Sequence, residues 1–186
     1  ADVSVLDLLG NGTSCIVWSS PLPNNSNAPL RYVNLMNNKK PHLLNRFENN
    51  MGKEVIFEFL PSTHFYLEDK KHGKPWATKL PFPVHVVSKV RSEDKIRETV
   101  FTNTYSYHHG YFDGKEREFR GFGRVEQLDT EDFNAFKLNN AQNVVEEPHH
   151  QPPVTSITWY HTGAAISKKL LTDAYEEEYY KNEHLQ

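Results

Sequence analysis

Residues 105–126, YSYHHGYFDGKEREFRGFGRVE, decide how this chain folds. Aromatic side chains recur at alternating positions, a glycine-marked turn follows, and a charge cluster leads into a second aromatic-glycine run. Successive side chains of a strand point to opposite faces, so the pattern predicts a strand over 99–107, a turn over 108–114 and a returning strand over 116–128. Phe101, Tyr105 and Tyr107 then share one face, while Glu116, Glu118 and Arg120 point away from Arg117 and Phe119. Asp113-Gly114 suits the turn, because glycine reaches positive φ without a Cβ clash. A two-stranded ribbon this aromatic needs a larger sheet to bury it.

Upstream, residues 51–60 alternate as a half-buried strand, with Val55, Phe57 and Phe59 on one face and Glu54, Ile56 and Glu58 on the other. Ser62 suits the N-cap of a helix over 63–72, with Phe65 and Tyr66 inward and Gly73 at the C′ position. The prolines of 80–83 (LPFP) force an extended entry into a strand over 84–90, and charged residues 91–95 make the next turn. At the start, Val3, Val5 and Leu6 precede a Gly-Asn-Gly turn over 7–12, and 13–19 returns as a strand. Residues 20–29 (SPLPNNSNAP) offer little to bury and read as a linker, after which 31–36 restarts an apolar pattern. Downstream, 129–153 is acidic, Asn-rich and Pro-terminated, a long surface excursion. Residues 155–160 resume strand character, and 168–186 reads as a helix whose Glu176, Glu177 and Glu178 form a solvated acidic face. The expected fold is mainly β, with antiparallel strands and hairpins, one or two short helices, and a core around Trp76, Phe82, Tyr105, Phe119 and Trp159.

The bulk composition narrows the function. The chain has 186 residues, a net charge of −3 and 12% aromatic residues. That charge balance argues against nucleic acid as a partner. No apolar run approaches the roughly 20 residues that cross a bilayer as a helix, so no direct membrane insertion is expected. The chain begins mid-pattern at Ala1 without an initiator Met, which reads as an internal stretch of a longer polypeptide. The lone Cys15 excludes an internal disulfide, and its apolar surroundings suit a small buried residue rather than a nucleophile.

Few residues point to chemistry. The pairs His108-His109 and His149-His150 place neighbouring imidazoles on opposite faces of an extended chain, a poor arrangement for one ion. The Asp7 turn has oxygen ligands at alternate positions except for Leu9, which leaves calcium under-served. Neither a metal nor another cofactor is expected. Glu176 and Glu178 have the E-x-E spacing of ADP-ribosyltransferases, with Thr155-Ser156 as the companion strand, but a helical charge run favours a solvated face. Glu116 and Glu118, about 7 Å apart on one strand face, match the spacing of a carboxylate pair. A cross-strand charge ladder with Arg117 and Arg120 accounts for them without a substrate. No catalytic residue is therefore assigned. The remaining candidate is an aromatic platform of Tyr107, Tyr111, Phe112 and Phe122 that would bind a carbohydrate or a partner chain.

Several stretches together carry a family resemblance. Residues 105–126, 6–21 (LDLLGNGTSCIVWSSP), 40–44 (KPHLL), 76–84 (WATKLPFPV) and 158–163 (TWYHTG) resemble, in order, the middle region of the B component of bacterial insecticidal Tc toxin complexes. That region is shared with SpvB-type virulence proteins. The resemblance implies a secreted, non-catalytic structural protein. Its β-propeller would dock on the A-component channel, and its shell of RHS-repeat-like strands would join the C component to enclose a toxic enzyme. It also implies an organisation of 1–20 as a propeller-blade-like segment, 21–30 as a linker, 31–165 as a β-rich middle domain and 166–186 as a C-terminal helix. Enzymatic activity would belong to the C component.

Overall fold

The computed structural model describes residues 2–97, 99–130, 153–164 and 168–179. Two antiparallel sheets account for all the described strands. The first has three strands, β1 (Asp2–Leu6), β2 (Cys15–Ser19) and β3 (Leu30–Asn34), in chain order. The Asp7 turn joins β1 to β2. Its carboxylate accepts the Asn11 N–H at 3.1 Å and the Gly12 N–H at 2.7 Å, so both oxygens hold the backbone. Loop 20–29, which contains one 3₁₀ turn (Pro23–Asn25), does not end this unit. It returns the chain so that β3 pairs with β2, from Cys15 opposite Asn34 to Ser19 opposite Leu30. Cys15 and Val17 lie buried on one face of this sheet. On the other, Val3 is 65% and Val5 68% exposed.

The second sheet has six strands, β4 (Arg46–Glu48), β5 (Lys53–Pro61), β6 (His85–Asp94), β7 (Thr99–Asp113), β8 (Glu118–Thr130) and β9 (Val154–Trp159), each paired with the next. Glu54 does not face solvent as its alternation suggests. It is 7% exposed, with Arg46 at 3.0 Å and Lys95 at 2.9 Å. The hydrogen bond from Lys95 is the main reason its carboxyl titrates below the ordinary value.

Helix α1 (Ser62–Lys71) connects β5 to β6. Its N-cap is Pro61, one residue earlier than expected. Ser62 instead clamps the chain entering β6, donating its N–H to the Val84 carbonyl at 2.7 Å and accepting the Val84 N–H at 3.0 Å. Phe65 is buried as expected, but Tyr66 is 38% exposed. Gly73 ends the helix region with φ of 76°. Thr63 Oγ1 donates to the Gly10 carbonyl at 2.6 Å, tying α1 to the turn of the first sheet.

The central hairpin is longer than its sequence suggests. β7 continues through 108–113 instead of turning there, and β6 continues through Asp94. The turn over 114–117 is built by Asp113, whose Oδ1 accepts N–H groups from Lys115 at 3.0 Å and Glu116 at 3.2 Å. Arg117, not Gly114, adopts the positive φ, at 57°. A bulge lies further along, where Tyr111 faces Gly121 and Phe112 faces Phe119, leaving Arg120 as the extra residue. The expected core is only partly buried, with Phe82 39% and Phe119 36% exposed. The buried apolar residues among those described are Cys15, Val17, Phe65 and Tyr111.

Candidate functional site

The hydrogen-bonded pairing of β6 with β7 stops at Lys89 opposite Thr104. Beyond it, the upper part of β7 is held by α1 and by residues 76–79. The Phe112 N–H donates to the Lys79 carbonyl at 3.1 Å, and Thr78 Oγ1 donates to the Gly110 carbonyl at 3.0 Å. Gly110 makes this approach possible: a Cβ there would lie 2.7 Å from the Trp76 ring and 3.0 Å from Leu80. Trp76 then stacks edge-on to Phe122 at 6.0 Å, and Phe122 meets Tyr107 at 5.0 Å and Phe119 at 5.6 Å. Phe65 closes the cluster against Tyr107 at 5.6 Å. Edge-to-face pairs at these separations add to the stabilisation from burial itself.

Beside the aromatics runs a chain of charged and polar side chains. Asp69 of α1 accepts hydrogen bonds from the Trp76 indole N–H at 2.7 Å and from His108 Nδ1 at 2.6 Å. Burial alone would raise this carboxyl's pKa, but the hydrogen bonds from His108 and Trp76 bring it below the ordinary value. His108 Nε2 lies 3.7 Å from Glu126, beyond hydrogen-bond reach. Glu126 pairs with Arg124, and Arg124 Nη1 lies 2.8 Å from Glu178 Oε2. His109 completes the chain. Its Nδ1 accepts the Ala77 N–H at 3.0 Å, so Nε2 carries the proton and donates to Glu178 Oε1 at 2.9 Å. Burial tends to raise Glu178 as well, but His109 and Arg124 outweigh it and hold the carboxyl down at about 2.

Glu178 belongs to α2 (Lys168–Glu178), which docks on the sheet from far along the chain. The contact requires Gly123, since a Cβ there would lie 2.1 Å from the Tyr175 hydroxyl and 3.2 Å from His109 Cβ. His109 itself sits within a strand at φ of 57° and is 3% exposed. A non-glycine residue pays for that conformation, which persists where surrounding contacts over-determine it. Here Ala77, Tyr175 and Glu178 do so. Trp159 of β9 stacks on Tyr179 at 5.1 Å and completes the docking.

This arrangement corrects several expectations. His108 and His109 are strand residues in a clasp joining α1, β7, β8 and α2, not turn histidines. Glu178 is turned inward, while Glu176 and Glu177 are exposed. Glu116 lies in the turn and Glu118 opens β8 with its side chain 60% exposed, so the two share no strand face or pocket. Of the aromatic platform, Tyr111 is 4% exposed and Phe112 packs on Phe82 at 5.1 Å. Tyr107 and Phe122 line an open groove of 540 Å³ with Tyr105, Gln127, Thr158 and Tyr160. A second cleft of 510 Å³ lies between 160–164 and α2. His149 and His150 fall outside the described residues.

Asp69, Arg124 and Glu178 carry the clasp, and none was singled out from sequence as part of it. Glu178 did leave a signal, because Leu171, Ala174, Tyr175 and Glu178 share the half-buried stripe of α2. Its position on that stripe marks a carboxylate that must find partners.

A three-stranded sheet beside a six-stranded one, with α1, β7, β8 and α2 of the larger unit clasped by a partly buried polar chain, defines a mainly-β scaffold segment. Residues 1–145 match the family described as the insecticide toxin TcdB middle/N-terminal region, and the chain belongs to that family. Among solved structures it is similar to a chain in the crystal structure of TcdB2-TccC3, at 29% identity and a TM-score of 0.73 over 97% of this chain and 8% of that one. It is also similar to a chain in the Photorhabdus luminescens Tc holotoxin pore, at 30% identity and a TM-score of 0.73 over 98% of this chain and 8% of that one. The crystal structure of TcdB2-TccC3-TEV gives 30% identity and a TM-score of 0.74 over 98% and 8%. This chain therefore spans about 8% of the length of those chains. Curated protein sequences yield no match.

Proposed function

We propose that this chain is a non-catalytic structural part of a secreted insecticidal toxin complex B component. It helps that component dock on the A-component translocation channel and, with the C component, encapsulate the toxic enzyme for delivery into host cells. The observation that carries this reading is the similarity over 98% of the chain to a component of a Tc holotoxin pore. The clasp fits the same role, because the pairs Asp69–His108, His109–Glu178 and Arg124–Glu178 tie α1, β7, β8 and α2 together. Among the described residues no helix is long and apolar enough to cross a membrane. The test is co-purification of a full-length B component carrying this sequence with an A-type channel and a C-type partner. Both are expected to be retained, and loss of both rejects the reading.

A second reading draws on the groove beside Tyr107 and Phe122, whose aromatic faces and Gln127, Ser156 and Thr158 side chains suit a carbohydrate or an extended partner chain. Titration of the chain with neutral oligosaccharides, followed by Tyr fluorescence, tests the carbohydrate case. An unchanged signal at millimolar sugar removes it.

A further inference from the structure

We propose that the cleft between residues 160–164 and α2 binds a small molecule through a methylated ammonium group, with tyrosine rings around the cation and the Glu176 carboxylate beside it. The delivery reading needs no ligand at this place, so the inference goes beyond it and stands independently. The cleft encloses 510 Å³, within the roughly 300–1,000 Å³ of small-molecule sites. Its first wall is set by the sheet. The Tyr160 N–H donates to the Gly123 carbonyl at 2.8 Å, so β8 holds the chain one residue past the end of β9, and Gly163 then turns it at φ of 72°. Its second wall is α2, where positions three and four apart share a face. Leu171, Ala174, Tyr175 and Glu178 form the stripe that meets the sheet. Thr172, Tyr175, Glu176 and Tyr179 form the adjacent stripe, and all four line the cleft.

The lining selects the class of ligand. Three tyrosines contribute to it, Tyr160 from one wall and Tyr175 and Tyr179 from the other. Tyr175 rests against the His109 ring at 5.2 Å, and Tyr179 against Trp159 at 5.1 Å. Both rings are thus held in place before a ligand arrives, which lowers the cost of binding. Leu171 and Ala164 add apolar surface. Glu176 is the one carboxylate of the lining, and unlike Glu178 it has no ion-pair partner among the described residues. Apart from His161, no basic side chain among those residues lines the cleft. Ring faces and an unpaired carboxylate attract a cation and repel an anion. A primary ammonium would bring three N–H donors to satisfy. A trimethylammonium group brings none and buries its methyl groups against the rings, so it fits these walls better.

Choline is the probe. It is compared with ethanolamine, which lacks the methyl groups, and with the alcohol in which an uncharged tert-butyl group replaces trimethylammonium. Binding is followed by ligand proton NMR on this chain and on a full-length B component carrying it, at pH 8, above the ordinary imidazole range. Choline is expected to saturate the site in both proteins, and the two analogues to bind at least about fivefold more weakly. Glu176→Gln should weaken choline about two- to fivefold, as expected for loss of an exposed charge. Tyr179→Leu should weaken it at least about threefold. Because Tyr179 also packs on Trp159, that variant can loosen α2; Glu176 is exposed, so Glu176→Gln keeps the fold and decides by itself. Absence of saturation by choline, an analogue that binds as tightly, or an unchanged affinity in Glu176→Gln would overturn the proposal. So would binding confined to the isolated chain, since the cleft would then be covered in the longer protein. Where choline binds, retention on phosphatidylcholine vesicles identifies a lipid headgroup as the source of the ligand, and lack of retention identifies a free molecule.

Discussion

At Gly123 a single hydrogen atom decides whether α2 can dock. The Tyr175 hydroxyl lies 2.1 Å from where a Cβ would be, so Gly123→Ala forces the helix or the strand to move. The expected cost is about 1–3 kcal/mol, the usual range for overpacking, read from chemical denaturation. Tyr175→Phe removes the closest atom, so in that background the alanine should cost measurably less; equal costs would mean that Tyr175 does not fill the notch. Glu178 carries the electrostatic half of the same contact. Its folded-state pKa of about 2 lies below the ordinary 4.5, so its contribution is complete above about pH 4.5 and is lost as the pH falls toward 2. The stability of the chain should therefore decline between pH 5 and 2, and Glu178→Gln should flatten part of that decline. An unchanged pH profile in the variant would place the acid sensitivity elsewhere.

At the scale of elements, the central hairpin joins a legible pattern to a hidden one. Alternation from Phe101 to Tyr107 and the charged return were readable, because strand period is a local property. The extension of β7 through His108 and Gly110 was not. A glycine beside two histidines has the chemistry of a turn, yet Gly110 serves the approach of Trp76 from 34 residues upstream. The clasp was hidden for a similar reason, since Asp69 meets His108 across 39 residues and His109 meets Glu178 across 69. Cys15 was correctly read as buried, because its immediate neighbours already form an apolar strand. The turn itself holds a correctable strain. Arg117 occupies a left-handed conformation that costs an L-residue about 1–2 kcal/mol. Replacing it with glycine should stabilise the chain by up to about 1 kcal/mol after the entropy lost by glycine is included, visible as a raised denaturation midpoint. A lowered midpoint would show that the arginine side chain contributes more than its backbone costs.

Across the whole molecule, few apolar residues are fully buried and many are left open. Val3, Val5 and Val33 share one face of the first sheet and are 65%, 68% and 48% exposed. On the proposed reading, this face is covered within a full-length B component. Val3→Thr combined with Val5→Thr should then shift the stability of the isolated chain by less than about 0.5 kcal/mol, because those side chains bury little there. In the full-length protein the same pair should cost about 1–3 kcal/mol, the amount expected when two covered aliphatic residues become polar. Equal small effects in both would mean that the face stays in water.

The order of strands in the larger sheet has a kinetic consequence. From β4 to β9 each strand pairs with its immediate predecessor in the chain. A polypeptide emerging from the ribosome can lay down each strand on one already formed, closing only short loops from β4 to β5 and from β6 to β8, with α1 inside the longer connection from β5 to β6. No early strand has to wait, exposed, for a distant partner of its own sheet. The long-range contact of Glu178 with Arg124 and His109 forms only after both helices and the hairpin have been synthesised. Synthesis thus proceeds across the sheet from β4 to β9, and α2 seals a sheet that is already in place.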